Sequence, residues 1–296
     1  MDNRDIWNLI HETWSALIGH YEPVLDRIAT ESRLSGRRWS VLWSVLSFEP
    51  ESTTPGHLLV RSPYTAVEHY LEQLRALTEI GLLNEISDGE FRFTAKGREW
   101  TNKLIRDVRN VMSEVDPLSK NDGVELSELL QKMVESCLNN PPPPDTWSIQ
   151  LSHKLMPEKE PSLPYIEQAF SCLAAYRDDS HLAAWQQSGL SATSLETLTL
   201  IWSERVHSLN EIVDLLSHRG HPYQVYVDAL KELLSNKLIE GSIDDLKLSS
   251  VGKSFRDKVE EDTDRFFFAP WSCLTESDRK ELEFLLNKLR GGLLSV

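Results

Sequence analysis

Residues 64–98 read YTAVEHYLEQLRALTEIGLLNEISDGEFRFTAKGR, and residues 223–253 read YQVYVDALKELLSNKLIEGSIDDLKLSSVGK. Each stretch begins with apolar residues at i, i+4 and i+7, one face of a helix. Each then passes into extended chain, at Gly81-Leu82-Leu83 or at Lys237-Leu238-Ile239. Two short alternating strands follow around a polar turn. In the first stretch that turn holds Asp88-Gly89, and Asp-Gly between alternating apolar residues is a strong hairpin signal. The second has Asp244-Asp245 at the same place. Thr94 and Ser249 then stand where a helix N-cap belongs. A helix, a hairpin and a further helix, written twice, decide the fold class.

Working outward, the chain matches itself at a shift of 156 residues from Leu34 to Met133. Leu42 falls over Leu198, Tyr70 over Tyr226, Leu74 over Leu230 and Leu82 over Leu238. One residue fewer in the hairpin turn makes the shift 155, so Gly97-Arg98 meets Gly252-Lys253. The 156 shift returns for Leu126, Leu129, Leu130 and Met133 over Leu282, Leu285, Leu286 and Leu289. A self-match this long predicts one fold used twice.

Before each hairpin the pattern predicts an opening helix in two parts (6–18 and 22–30; 165–176 and 180–187), then helices over 37–46 and 55–60, or 194–203 and 209–217. A long helix follows each hairpin, and a last helix over 123–137 or 276–290 closes each unit, the second behind the capping-box pattern Thr275-Glu276-Ser277-Asp278. Pro141-Pro142-Pro143-Pro144 favours stiff extended chain and marks a spacer. The predicted organisation is a first module over 1–138, a Pro-rich linker over 139–164 packing irregularly, and a second module over 165–296. The fold class is mainly α with small β-hairpin wings, two winged helix-turn-helix units related by pseudo-twofold symmetry.

Composition narrows the setting. The 296 residues suffice for two cores. No run approaches the roughly 20 apolar residues of a membrane span, and the acidic start MDNRDIWNLIHETW does not resemble a signal peptide. Three scattered cysteines fit a reducing compartment, so a cytoplasmic protein is expected. The net charge of −15 is spread evenly: residues 1–138 carry 15 basic and 22 acidic side chains, the rest 16 and 24. Long-range attraction to DNA is therefore not built in.

Both units resemble the MarR-type winged helix. The whole layout is similar to a duplicated winged-helix family of actinobacterial natural-product gene clusters, including the salinosporamide cluster. The closest residues lie in the second unit: Arg177-x-Asp179-x-His181, Leu248–Arg256, and Glu260-Glu261-Asp262-Thr263-Asp264, ending at Pro270-Trp271. Family members carry similar R-x-D-x-H and E-x-x-T-D segments. The first unit departs from both, with Tyr21-Glu22-Pro23-Val24 and Asp107-Val108-Arg109. The resemblance implies a fold in which one chain imitates a MarR-type dimer, so that a monomer suffices, and it is the winged-helix fold that invites a DNA-binding transcription regulator as the first reading.

The residues set terms for that reading. A winged helix places its third helix in the major groove, and Lys and Arg on phosphates supply most of the affinity. Here the third helices carry Glu68, Glu72 and Glu79 against Arg75, and Asp228 and Glu232 against Lys231, with acidic hairpin tips. The candidate DNA anchors that remain are Arg61, His218, Arg219 and His221 at the turns, with Lys247 and Lys253 near the second hairpin. The alternative is an acidic winged-helix protein that has left DNA and binds a small-molecule effector or a protein partner, for which an aromatic cavity between the units is expected.

A third reading, a natural-product tailoring enzyme, rests on Arg177, Asp179 and His181. If the chain turns at Asp178-Asp179-Ser180, the three converge, and Asp179 or Asp264 raises the His181 pKa toward neutrality. The plainer reading is an N-cap at Asp179 or Ser180 and an ordinary ion pair for Arg177. Asp264 facing Arg177, and Trp271, complete this candidate ligand set. No nucleotide-binding glycine pattern and no Gly-x-Ser-x-Gly occurs. His218 and His221 have no third ligand nearby, so neither cofactor nor metal is expected.

Overall fold

The computed structural model describes residues 2–31, 34, 38–139, 147–157 and 162–295. In the first half, α1 (Asn3–Glu31), α2 (Arg38–Phe48), α3 (Pro55–Arg61) and α4 (Val67–Glu79) lead to the hairpin β1 (Leu83–Ser87) and β2 (Glu90–Phe93), followed by α5 (Ala95–Val115) and α6 (Lys120–Asn139). After α7 (Ser148–His153) the same order recurs: α8 (Leu163–Trp185), α9 (Ala192–Trp202), α10 (Leu209–Leu215), α11 (Tyr223–Ser235), β3 (Ile239–Ser242), β4 (Asp245–Leu248), α12 (Ser250–Phe268) and α13 (Glu276–Leu293).

The two long helices α5 and α12 start in the same way. Thr94 Oγ1 accepts from the Gly97 N–H (2.9 Å) and donates to the Gly81 carbonyl (2.8 Å). Ser249 Oγ accepts from the Gly252 N–H (2.9 Å) and donates to the Lys237 carbonyl (2.6 Å). These hydroxyls therefore cap the new helix and tie it to the turn that ends the helix before the hairpin. The approach is close enough to require glycine. A Cβ on Gly97 would lie 1.9 Å from the Leu82 carbonyl oxygen, and one on Gly252 would lie 1.9 Å from that of Leu238.

Each hairpin gains a third extended segment. Thr53 exchanges backbone hydrogen bonds with Phe91, both 2.8 Å, while in the second half Leu209 N–H donates to Ile243 O and Leu246 N–H to His207 O, again 2.8 Å each. Each winged unit has its own core: Leu42, Val45, Leu74, Leu77, Leu83 and Phe91 in the first, and Leu198, Ile201, Ile212, Leu230, Leu233 and Leu246 in the second. A third and larger core joins the flanking helices of both halves, with Ile6, Ile10 and Leu17 of α1, Leu126 and Leu130 of α6, Phe170 and Leu173 of α8, Phe267 of α12, and Leu286 and Leu289 of α13. Two lobes thus stand on one helical body.

Three expectations are revised. Both opening helices are single: α1 runs through Pro23, and α8 runs through Asp178-Asp179-Ser180, with Ser180 Oγ donating to the Tyr176 carbonyl one turn back (2.8 Å). The segment expected to be irregular linker holds the helix α7, and α8 begins at Leu163. The four prolines lie outside the described residues.

Candidate nucleic-acid interface

The surface that a winged helix offers to DNA is made here by α4 and α11 with the hairpins beside them. Several of the exposed cations on it are matched by carboxylates. Arg75 of α4 reaches both Glu85 and Asp88 of the wing at 3.1 Å. Lys231 of α11 pairs with Asp228 (2.8 Å), Lys247 of the second wing with Asp245 (2.7 Å) and Lys253 of α12 with Asp257 (2.5 Å). Such exposed pairs are weak, so phosphate can compete for the cations. The carboxylates nonetheless stay in place and keep the face acidic. Glu68, Glu72 and Glu79 of α4 and Asp228 of α11 are all exposed.

The turn residues Arg61, Arg219 and His221 point elsewhere. Arg61 pairs with Asp178 of α8 (2.8 Å). Arg219 is held by Glu196 of α9 through Nε (3.0 Å) and lies 5.6 Å over the Tyr64 ring. His221 Nε2 is 2.9 Å from the Tyr64 carbonyl oxygen. These three side chains therefore lie where the first lobe meets the second lobe and α8. His218 stays exposed, its Nδ1 3.2 Å from the Leu215 carbonyl.

Beside that junction lies a cavity of about 490 Å³, a size typical of small-molecule sites. One wall is the face of α2 that carries Ser40, Ser44 and Ser47 with Trp43 between them. Facing it are Ser152 and Leu155 at the end of α7, and Tyr64, Tyr70 and His57 close the sides. Arg61, Asp178 and Arg219 line it as well, each already paired with an opposite charge, so its charges are balanced, while Trp43, Phe48, Leu58 and Leu151 make much of its lining apolar. None of its α2, α7 or aromatic residues is a site residue predicted from sequence. The signal available was the serine repeat at 40, 44 and 47, which lies on one face of a helix.

The candidate ligand set is brought together only in part. Arg177 NH1 donates to Asp264 Oδ1 (2.9 Å), and Arg4 of α1 donates to the other carboxylate oxygen (Nε, 3.1 Å). Burial alone would push the Asp264 carboxyl up, but the hydrogen bonds from Arg4 and Arg177 hold it below its ordinary value. Trp271 is fully buried against Phe267 and Phe268.

Asp179 does not meet His181. Its two oxygens accept from the backbone N–H groups of Ser148 (2.9 Å) and Ile149 (3.0 Å), so it caps α7 from across the structure. It is a cap, but of another helix. His181 lies against Thr263, with Nδ1 3.2 Å from Oγ1. Because Thr263 Oγ1 donates its own proton to the Val259 carbonyl (2.7 Å), it accepts from His181, and the proton sits on Nδ1. Burial, and then the charge of Arg256, push the His181 pKa down to about 4. This is opposite to the rise expected of a carboxylate-paired imidazole: the Asp179 carboxylate is spent on α7 and that of Asp264 on Arg4 and Arg177, so burial sets the direction.

Among the described residues, no group of three His, Cys, Asp or Glu side chains is placed to hold a metal ion, and no helix is long and apolar enough to cross a membrane. No curated protein and no solved structure matches the chain. Residues 152–295, from within α7 to just past α13, match the model of a helix-turn-helix family, which supports a helix-turn-helix domain in the second lobe.

Proposed function

We propose that the chain is a DNA-binding transcription regulator of MarR-like build, in which the modules over 1–138 and 165–296 act as a fused pseudo-dimer. The observation that carries this reading is the recurrence of the winged unit, helix for helix and cap for cap, around a shared helical body. His218, Lys247 and Lys253 are the anchors left facing outward for phosphate. With so few cations and so many carboxylates on the face, binding depends on base contacts and weakens only modestly with salt: about two to three phosphates are neutralised, for a slope of roughly −2 to −3 in log K against log salt. A gel-shift screen of genomic fragments near 50 mM salt tests the reading. A retarded fragment that survives competitor DNA is expected, and no retardation at that salt defeats it.

A second reading is favoured by the cavity beside α2: the fold is kept for binding a small-molecule effector, without DNA. Trp43 sits in the cavity wall and reports occupancy through its fluorescence. Effector binding by a protein that retards no DNA fragment selects this reading over the first.

A further inference from the structure

The turns that lead into the two recognition helices are docked on one another. The Ala66 N–H donates to the Arg219 carbonyl (2.9 Å), and the Arg219 guanidinium reaches Thr65 Oγ1 (3.4 Å). His221 closes on the Tyr64 carbonyl at 2.9 Å. Gly220, at φ +72°, lies so near His69 of α4 that a Cβ there would stand 2.6 Å from the His69 Cβ. The Tyr64 ring meanwhile packs beside Trp185 of α8, ring centres 6.2 Å apart. These turns immediately precede Val67 and Tyr223, the first residues of α4 and α11.

A helix-turn-helix pair reads two half-sites with the ends of its recognition helices in successive major grooves, about 34 Å apart. Residues hydrogen-bonded to each other cannot stand in two such grooves at once. We infer that the lobe–lobe contact is an autoinhibitory latch, and that the lobes part before both recognition helices engage DNA. The inference rests on the DNA-binding reading above. The latch has the composition of a breakable contact. It is made of a backbone hydrogen bond, a guanidinium–hydroxyl contact, a histidine and the Tyr64 ring against the small cluster of Leu182, Trp185 and Leu195, all outside the three larger apolar cores. The exposed Arg61–Asp178 pair to α8 lies beside it, and such an exposed pair contributes little on its own.

Two experiments on the full chain separate the latch from the function it rests on. Spin labels at E68C of α4 and D228C of α11, both exposed positions, in a C273S background, report the lobe separation. One narrow distance is expected for the otherwise native chain, and a longer, broader distribution once R219A is added. A broad distribution without R219A overturns the latch. In the second experiment A66C and R219C are paired, since a hydrogen bond between these two backbones brings them within disulfide range. On a fragment from the gel-shift screen, the oxidised form is expected to bind at least tenfold more weakly than the same protein after reduction. Equal affinity of the two forms overturns the latch. If neither form retards any fragment, the DNA reading falls and the autoinhibitory role with it, while the label distances still decide whether the contact holds the lobes together.

Discussion

The first lobe meets the helical body across a cavity, whereas the second meets it across packed charge. In the second lobe Arg256 of α12 is buried, donating to Thr199 Oγ1 of α9 (2.9 Å), pairing with Glu260 (2.6 Å) and lying 4.9 Å over the Trp202 ring. At the matching positions of the first lobe, Arg256 becomes Thr101 and Thr199 becomes Trp43. The large and the small partner have been exchanged, and Trp43 now borders open space. Likewise Ser40 and Ser44 of the cavity face match Glu196 and Leu200, and Leu25 matches His181. One backbone plan thus carries two interiors. The first leaves room for a ligand; the second fills the same junction with an ion-pair network.

Asp179 connects the two. It belongs to the second half, yet it caps α7, whose residues wall the cavity of the first. That is a physical reason for a motif present in one half only. The R-x-D-x-H spacing invites a catalytic reading, but its three side chains face three different partners.

What the halves share should give the largest effects, and equal ones. Gly97→Ala and Gly252→Ala each force a methyl group into a carbonyl oxygen, and each is expected to cost about 3 kcal/mol in urea denaturation. A cost in one lobe but not in the other would show that the two caps are not equivalent. Asp179→Ala comes next. It leaves two buried backbone N–H groups without their charged acceptor, at about 2–3 kcal/mol, and it should loosen α7 specifically, seen as faster amide exchange at 148–153. Unchanged exchange there would contradict the cap.

The His181 contrast has a sign that can be checked. Its folded pKa, about 4, lies below the ordinary 6.5, so between those values the unfolded chain holds a proton that the folded chain does not. Stability is therefore full above pH 6.5 and falls as the pH drops toward 4, by about 2 kcal/mol after allowance for solvent screening. His181→Leu, which installs the residue of the first half, should flatten that part of the pH–stability curve; an unchanged slope would assign it to other groups. The smallest effect concerns the helix ends. Lys237 has φ +58°, where the matching residue Gly81 has φ +76°. Lys237→Gly is expected to raise stability by up to about 1 kcal/mol, and Gly81→Ala to lower it by a similar amount.

These contrasts also mark what a sequence can reveal. The hairpins, the Thr94 and Ser249 caps and the recognition helices were legible because each depends on neighbours within a few residues. The continuity of α1 through Pro23 and of α8 through Asp178-Asp179-Ser180 was not, since tertiary packing along the central core overrides a local break signal. Arg61, Arg219 and His221 read as DNA anchors because they are basic residue types beside a turn. Their actual partners include Asp178, 117 residues from Arg61, and Tyr64, 157 residues from His221. The cavity was hidden for the same reason: its walls come from α2, α7 and α8, and only the serine repeat on α2 is a local signal.

Whether the two unlike lobes act as one pair on DNA, as proposed, is read from a hydroxyl-radical footprint on a fragment recovered from the gel-shift screen. Two protected blocks about 10 base pairs apart, centre to centre, are predicted, one for each recognition helix. A single protected block, or none at concentrations that retard the fragment, would contradict the account.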